Sequence, residues 1–359
     1  MEKSSVDEKI KIVKEVSEEI INEEELRNLF ETKNPVAYDG FEPSGKIHIA
    51  QGLLRAITVN KLVSTGIRFK FWVADWFAML NNKMGGDLEK IRDVGKYFIE
   101  VWKACGMDLE NVEFIWASDF IKENPEYWET VMKLSRNTTV QRVLRCGQIM
   151  GRGDSISNPA SQIMYPLMQA ADIHHLGADI AQLGTDQRKV NMLARDIFPK
   201  LDLTPPVVVS HHMLMGLKET KTEKTGIEGA IDKKMSKSDP NSAIFMTDTK
   251  EEVEKKFKKA YCPEAQAENN PVLEYFKYIV FEKFDKITID RPEKYGGNLD
   301  FSSYEDLEKS FIEKKVHPKD LKDACAKYIN ESLESVREHF RKNEDAKGLL
   351  DNINRFSEK

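Results

Sequence analysis

Several things are missing from this 359-residue chain, and each absence removes a class of function. No apolar run approaches the roughly 20 residues needed to cross a bilayer as a helix, and the opening Met-Glu-Lys-Ser-Ser-Val-Asp-Glu lacks the apolar centre of a secretory signal. Cysteine is scarce. Cys105, Cys146, Cys262 and Cys325 lie far apart with no C-x-x-C pair, so neither a zinc site nor a disulfide framework is expected and the thiols are read as reduced. Together these features point to a cytoplasmic protein with no membrane partner. No G-x-G-x-x-G is present, which disfavours a nicotinamide or flavin domain. An excess of positive charge is also missing. A net charge of −6 gives no general attraction for nucleic acid, although local basic patches act independently of the total. The pairs His174-His175 and His211-His212 have no acidic or Cys partner at ligand spacing, so no protein-bound metal or organic cofactor is expected.

What is present suffices for a folded core. With 40% hydrophobic and 32% charged residues, a chain of this length forms two domains behind a short leading segment. Residues 1–30 place Ile10, Ile12, Val13, Val16, Ile20 and Ile21 at roughly helical spacing, so a helix packed on the main body is expected. Alternation then begins: a strand from Val36, a helix over 53–63, a strand over 69–74, a helix over 87–105 and a strand over 112–117. Strands separated by helices predict a parallel sheet, with Ala74 and Asp75 after a strand as pocket wall. Residues 120–160 interrupt this pattern with an expected helical hairpin carrying Arg136, Arg142, Arg145 and Arg152. That basic face suits solvent, a dimer contact or a nucleic-acid stem. Arg152-Gly-Asp154 and the Asn137-Thr-Thr sequon are coincidences in a cytoplasmic chain. A helix is expected to open at Tyr165, with Pro166 in its first turn. Further strands are expected after Ala178 and Pro205. Beyond about residue 250 charged helices dominate, including 249–260, 303–316 and a long one opened by Pro318. The expected domains are 31–250 and 251–359.

Three stretches carry chemistry. Lys234-Met-Ser-Lys-Ser238, closed by Asp-Pro, is expected as a mobile loop whose lysines suit a polyphosphate. The strand and Pro-Ser-Gly turn before His48 deliver that histidine to a helix N-terminus, an anion site. Tyr165, Gln169 and Asp172 fall at i, i+4 and i+7, on one face of a helix whose neighbours are apolar, so a buried polar pocket is predicted there.

The order Lys234–Ser238 resembles the K-M-S-K-S signature of class I aminoacyl-tRNA synthetases. His48-Ile-Ala-Gln51 resembles their H-I-G-H signature, with the first histidine kept and the second replaced. Tyr38, Tyr165, Gln169, Asp172 and Gln187 match the tyrosine-binding set of archaeal and eukaryotic-type tyrosyl-tRNA synthetases. The match continues through Arg291–Gly297 and His317–Lys322. The resemblance implies an α/β fold: a Rossmann-like parallel-sheet catalytic domain with a helical insertion, then an α-helical anticodon-binding domain. It implies a tyrosine–tRNA ligase that takes L-tyrosine, ATP with Mg2+, and tRNA(Tyr), and works as a homodimer. By the same resemblance His48, Lys234 and Lys237 are catalytic, with Tyr38 and Asp172 on the phenol and Tyr165, Gln169 and Gln187 near the ammonium. ATP contacts are implied at Gly45, His48, Gly52, Gly184, Asp186, Met235, Lys237 and Ser238. The tRNA contacts implied are Arg145 and Arg188 for the acceptor stem, and Tyr295 and Asp320 for the anticodon. A tryptophanyl-tRNA synthetase, another nucleotidylyl transferase and an idle binding protein are the alternatives. Tyr38 with Asp172 argues against the first, since indole offers one donor and no acceptor.

Overall fold

The computed structural model describes residues 5–149, 159–237 and 239–357, so Ser238 and the Arg152-Gly-Asp154 run lie outside the described residues. Six strands form one sheet: β1 (Glu19–Ile21), β2 (Val36–Phe41), β3 (Arg68–Val73), β4 (Val112–Trp116), β5 (Ile180–Ala181) and β6 (Val207–Ser210). Their spatial order is β1-β6-β5-β2-β3-β4. All neighbours are parallel except β1, which pairs antiparallel to β6 with Glu19 opposite Ser210. The chain lays down β2, β3 and β4 outward, then returns to the other flank of β2 to add β5 and β6. Connections leave in opposite directions at the β2–β5 boundary, which opens a crevice at the carboxyl ends of those strands.

Side chains alternate across the sheet, and each face has its own core. Ala37, Phe41, Phe69 and Phe71 face one way, while Tyr38, Trp72 and Ala181 face the other. In the first core Trp102 stacks on Phe71 at 4.8 Å and on Phe114 at 5.7 Å. Pairs of this kind add about 0.5–1.5 kcal/mol beyond the area they bury. This core continues without a break into Val253, Phe257, Val272, Phe276 and Phe340, so the helical C-terminal part shares its interior with the sheet. The second core packs the helices Glu126–Arg136, Val140–Ile149, Ser161–His175 and Arg188–Ile197 against the opposite face.

Beneath the crevice, the helix Leu53–Ser64 places Arg55 inside the protein. Its Nε lies 2.9 Å from Asp39 Oδ2, and a second guanidinium nitrogen donates to the Gln182 carbonyl at 3.1 Å. The pair therefore ties β2 to the chain leaving β5.

The leading segment differs from the single helix expected. The helix Val6–Glu15 ends where Ser17 Oγ donates back to the Val13 carbonyl at 2.6 Å, and Glu19–Ile21 becomes the edge strand β1. The open edge of β6 outweighs helical spacing here, because unpaired strand groups seek a partner. Asn22, in the left-handed region at φ 67°, then caps the helix Glu23–Thr32. The C-terminal part also contains an unexpected ribbon of β7 (Ile287–Ile289) and β8 (Leu299–Phe301). Its final helix, Glu344–Ser357, returns to the sheet domain, where Asn352 donates to Asp93 at 3.2 Å. Among the described residues no helix is long and apolar enough to cross a membrane.

Candidate active site

A cavity of about 1400 Å³ occupies the crevice, lined from β2, the helix Ser161–His175, the turn after β5 and the segment 231–237. Its deepest part is built by two side chains, each about 1% exposed. Tyr38 comes from β2 and Asp172 from the helix. The Tyr38 hydroxyl and Asp172 Oδ2 have no hydrogen-bond partner, whereas Asp172 Oδ1 accepts from the Tyr127 hydroxyl at 2.7 Å. Burial pushes the Asp172 carboxyl far above its ordinary range, opposed by the Tyr127 bond. Burial also lifts the Tyr38 phenol, as do the Asp172 and Asp39 charges, while the nearby Gln169 amide opposes them without reaching good hydrogen-bond geometry. A buried donor and a buried acceptor without partners are costly, so this end of the cavity is built for a ligand carrying the complementary pair.

Acceptors follow next. Gln169 donates to Gln187 at 3.1 Å, and its own Oε1 is left bare. Tyr165 donates to Glu42 at 2.6 Å and meets Phe77 edge-on at 4.9 Å. Oxygens of Gln169, Tyr165 and Glu42 thus form a surround for a cation. Helix geometry explains the convergence, because Tyr165, Gln169 and Asp172 share one face as their spacing predicts. The helix begins at Ser161 rather than Tyr165, however, so Pro166 lies in its interior. Proline has no N–H for the Gln162 carbonyl, and Gln162 also borders the cavity.

The outer end is basic. Lys237 Nζ reaches the Ser44 carbonyl at 3.1 Å and its hydroxyl at 3.2 Å, and lies 4.7 Å from the Phe98 ring centroid. Burial, with Lys83 adding to it, brings the Lys237 ammonium down to about 7 against the pull of Glu42. Lys234 is paired with Asp186 at 2.7 Å. Burial, then Lys237 and Lys234, lower His48 to about 3, so its imidazole is neutral. His48 Nδ1 accepts the Gln51 N–H at 3.4 Å, which leaves the proton on Nε2 as a donor. The first half of the lysine segment is anchored, contrary to the free loop expected. Met235 is 4% exposed in the first core, its N–H donates to Leu214 at 2.9 Å, and Lys234 bridges Met215.

The remaining candidates separate. Gly45 lines the cavity at φ +75°, a conformation that favours glycine. Gly184 lines it beside Asp186. Gly52 lies behind the wall, where an added Cβ would meet Met246 Cγ at 2.5 Å. Ala74 is in the wall, but Asp75 is not. It is fully buried and bound by Ser118 and Arg92. Arg188 pairs with Glu19 at 2.6 Å, Arg145 is exposed on its helix, and neither borders the cavity. Tyr295 is 63% exposed in the turn between β7 and β8, and Asp320 lies in the first turn of the helix Pro318–Lys342. Among the described residues no group of three or more His, Cys, Asp or Glu is placed to hold a metal ion.

Sequence reasoning missed Glu42, Lys83, Tyr127 and Phe356. Glu42 stood inside the motif run 38–45 without a role. Lys83 lies in Asn81-Asn-Lys-Met-Gly-Gly86, where Asn82, Met84, Gly85 and Gly86 all have positive φ. That cluster of turn-forming residues was the available signal. Phe356 borders the cavity from the final helix, far away in sequence.

A family model described as tRNA synthetases class I (W and Y) matches residues 31–334. The chain is 50% identical to tyrosine–tRNA ligase 1, cytoplasmic, of Arabidopsis thaliana, over 98% of this chain and 89% of that one. Its structure is similar to that of Pyrococcus horikoshii tyrosyl-tRNA synthetase complexed with L-tyrosine, with a TM-score of 0.89 and 37% identity, covering 97% of this chain and 100% of that one. It is similar also to Leishmania major tyrosyl-tRNA synthetase in complex with tyrosinol, with a TM-score of 0.90 and 45% identity over 98% of this chain. It spans only 61% of the length of that Leishmania chain.

Proposed function

The chain belongs to the class I tRNA synthetases of the tryptophan and tyrosine group, and from that premise we propose that it is a tyrosine–tRNA ligase. One observation carries the choice of amino acid: the unpartnered Tyr38 hydroxyl and Asp172 Oδ2 at the end of the cavity. A phenol supplies a donor for the carboxyl and an acceptor for Tyr38. Indole supplies only a donor, and a phenyl ring leaves both groups unpaired. The names of the relatives support the same reading.

In this reading the ammonium of tyrosine lies among Tyr165, Gln169, Gln187 and Glu42. Its carboxylate points toward the basic end, where ATP enters as its Mg2+ complex. The carboxylate attacks the α-phosphorus, pyrophosphate leaves, and the adenylate then esterifies the terminal ribose of tRNA(Tyr). No group in the cavity has to remove a proton from an already ionised carboxylate. The work is alignment and charge stabilisation by His48 Nε2–H, Lys234 and Lys237, with Lys83 facing the same space. Gly45, Gly184, Asp186 and Met235 border or anchor the nucleotide end, and Ser238 belongs to the same segment.

The domain division stays near residue 250. Arg145 and Arg188 are assigned to the acceptor stem, and Tyr295 and Asp320 to the anticodon. An exposed ring suits stacking on an unpaired base. Tyrosine-dependent ATP–pyrophosphate exchange tests the core of this proposal, run beside tryptophan and no amino acid. Exchange with tryptophan, or with neither, overturns it. Charging of tRNA(Tyr) by variants of the four tRNA residues, with exchange intact, tests their assignment. We also propose a cytoplasmic homodimer, and a monomer mass by light scattering removes the dimer.

A further inference from the structure

Tyr127 belongs to no signature. Its ring is fully buried, and its hydroxyl lies 2.7 Å from Asp172 Oδ1 and 2.8 Å from the Met168 carbonyl oxygen. A phenol has one proton, and here it has two acceptors. Asp172 Oδ2 has no partner, and Asp172 lines the cavity together with Tyr38. The carboxyl is therefore asymmetric, with one oxygen always engaged by Tyr127 and the other left for a ligand.

A neutral Asp172 protonated on Oδ2 would leave one of the two short Tyr127 contacts without a hydrogen, so two proton arrangements fit this geometry best. With Asp172 ionised, Tyr127 donates to Oδ1. With Asp172 neutral, its proton rests on Oδ1 and is donated to the Tyr127 oxygen, whose own proton turns to the Met168 carbonyl. Oδ2 carries no proton in either arrangement, and so it accepts in both. The neutral arrangement matters because burial drives this carboxyl toward its protonated form.

We propose that Tyr127 is a positioning residue for amino-acid selection, which holds the Asp172 proton on Oδ1 so that Oδ2 always presents an acceptor to the substrate phenol. The proposal rests on the tyrosine reading above. The groups facing Asp172 are Tyr38 from β2, Tyr127 from the helix Glu126–Arg136, and Tyr165 and Gln169 along its own helix. Asp39 lies beyond Tyr38. His175 lies against the Tyr127 ring at 5.3 Å and is held by Thr130 at 2.9 Å. Among the described residues no ion pair reaches Asp172, so nothing but Tyr127 fixes where its proton goes.

Tyr127→Phe keeps the ring and removes the handle. The proton of a neutral Asp172 is then free to sit on Oδ2, where it meets the substrate as a donor. In pyrophosphate exchange, kcat/KM for tyrosine is expected to fall about ten- to a hundredfold, mainly through KM. The preference for tyrosine over phenylalanine should shrink by a similar factor. The loss should deepen as pH is lowered, while wild-type kcat/KM for tyrosine stays level over the same range. A variant with wild-type KM, selectivity and pH profile overturns the proposal. So does a loss confined to kcat with selectivity unchanged, since a merely structural role would produce that. If wild-type protein itself shows no tyrosine-dependent exchange, the tyrosine reading fails instead. Difference infrared spectroscopy on wild-type protein needs no variant to fold. At mildly acid pH, tyrosine should shift the protonated Asp172 carbonyl band to lower frequency and phenylalanine should not. Equal shifts, or none with tyrosine, overturn the proposal.

Discussion

Replacing Arg55 with methionine removes one half of a buried ion pair and leaves most of the apolar stem in place. The two side chains are 3% and 6% exposed and meet at 2.9 Å. At an effective dielectric of about 20, charges at that distance attract by about 6 kcal/mol. Breaking one side of a buried pair costs about 3–5 kcal/mol. The net cost falls below the Coulomb figure because Arg55 also gives up its own solvation in the native state. Unfolding entropy of about 2.1 cal/mol/K per residue over 359 residues gives about 0.75 kcal/mol/K, so the loss is about 4–7 °C in Tm. The pH dependence follows from Asp39, whose carboxyl burial raises to about 6 even with Arg55 beside it. A carboxyl with a raised folded pKa binds its proton more tightly when folded. The stability this proton brings is full below the unfolded value of about 3.9 and is lost as pH rises through the folded value. Without Arg55 that folded value climbs further. The Tm deficit should therefore be at least twice as large near pH 8 as near pH 5, where Asp39 is neutral in the variant. Adding Asp39→Asn should recover most of it at pH 8, because the stranded charge is gone. Calorimetry of the three proteins at both pH values decides. Equal deficits at both, or no recovery in the double variant, would refute the reasoning.

Two further perturbations report on charges described above. Burial brings Lys237 down to about 7. Phosphates restore its usual value, so ATP binding at about pH 8 should take up close to one proton. Calorimetric titration in buffers of different ionisation enthalpy measures this, and Lys237→Ala should abolish it. Uptake near zero in the wild type contradicts the geometry. His212 is pulled down by burial but raised overall to about 9 by its bonds to Glu18 and Glu274. Its contribution, about 3 kcal/mol, is present below about 6.5 and lost as pH rises through about 9. His212→Gln should thus be less stable than wild type near neutrality and equal to it well above pH 9. The His212 ring also stacks on Tyr278 at 4.2 Å, and a deficit independent of pH would show that this packing, not charge, is what was lost.

Much of the architecture was legible because its signals were local. Each expected strand and helix between 36 and 117 lies within a residue or so of its observed counterpart, since burial on one or both faces leaves a periodic trace. The stripe Tyr165-Gln169-Asp172 announced itself as polar residues within an apolar helix. What escaped detection was set by partners distant in the chain. β1 became a strand because β6 offered an edge. β5 is only two residues long and has no pattern to find. Pro166 suggested a helix start, but the apolar environment carries the helix through it. Glu42 and Lys83 look like ordinary surface-type residues until the fold brings them to the cavity, and Tyr127 until the fold sets its hydroxyl against Asp172. Lys234–Ser238 showed the opposite limit. Its order identified the chemistry, while the burial of Met235 is visible only in three dimensions.

The position of Phe356 has a temporal consequence. During synthesis the sheet, the tyrosine pocket and the lysine segment have all emerged before the helix Glu344–Ser357 exists. At about 5–20 residues per second, on the order of ten seconds separates the making of Lys237 from that of Phe356. Over that interval a nascent chain already has Tyr38, Tyr165, Gln169, Asp172 and Lys237, but its cavity lacks the contribution of Phe356. The helix that brings Phe356 to the cavity, bonded to Asp93 through Asn352, is therefore the last of the lining elements to be made.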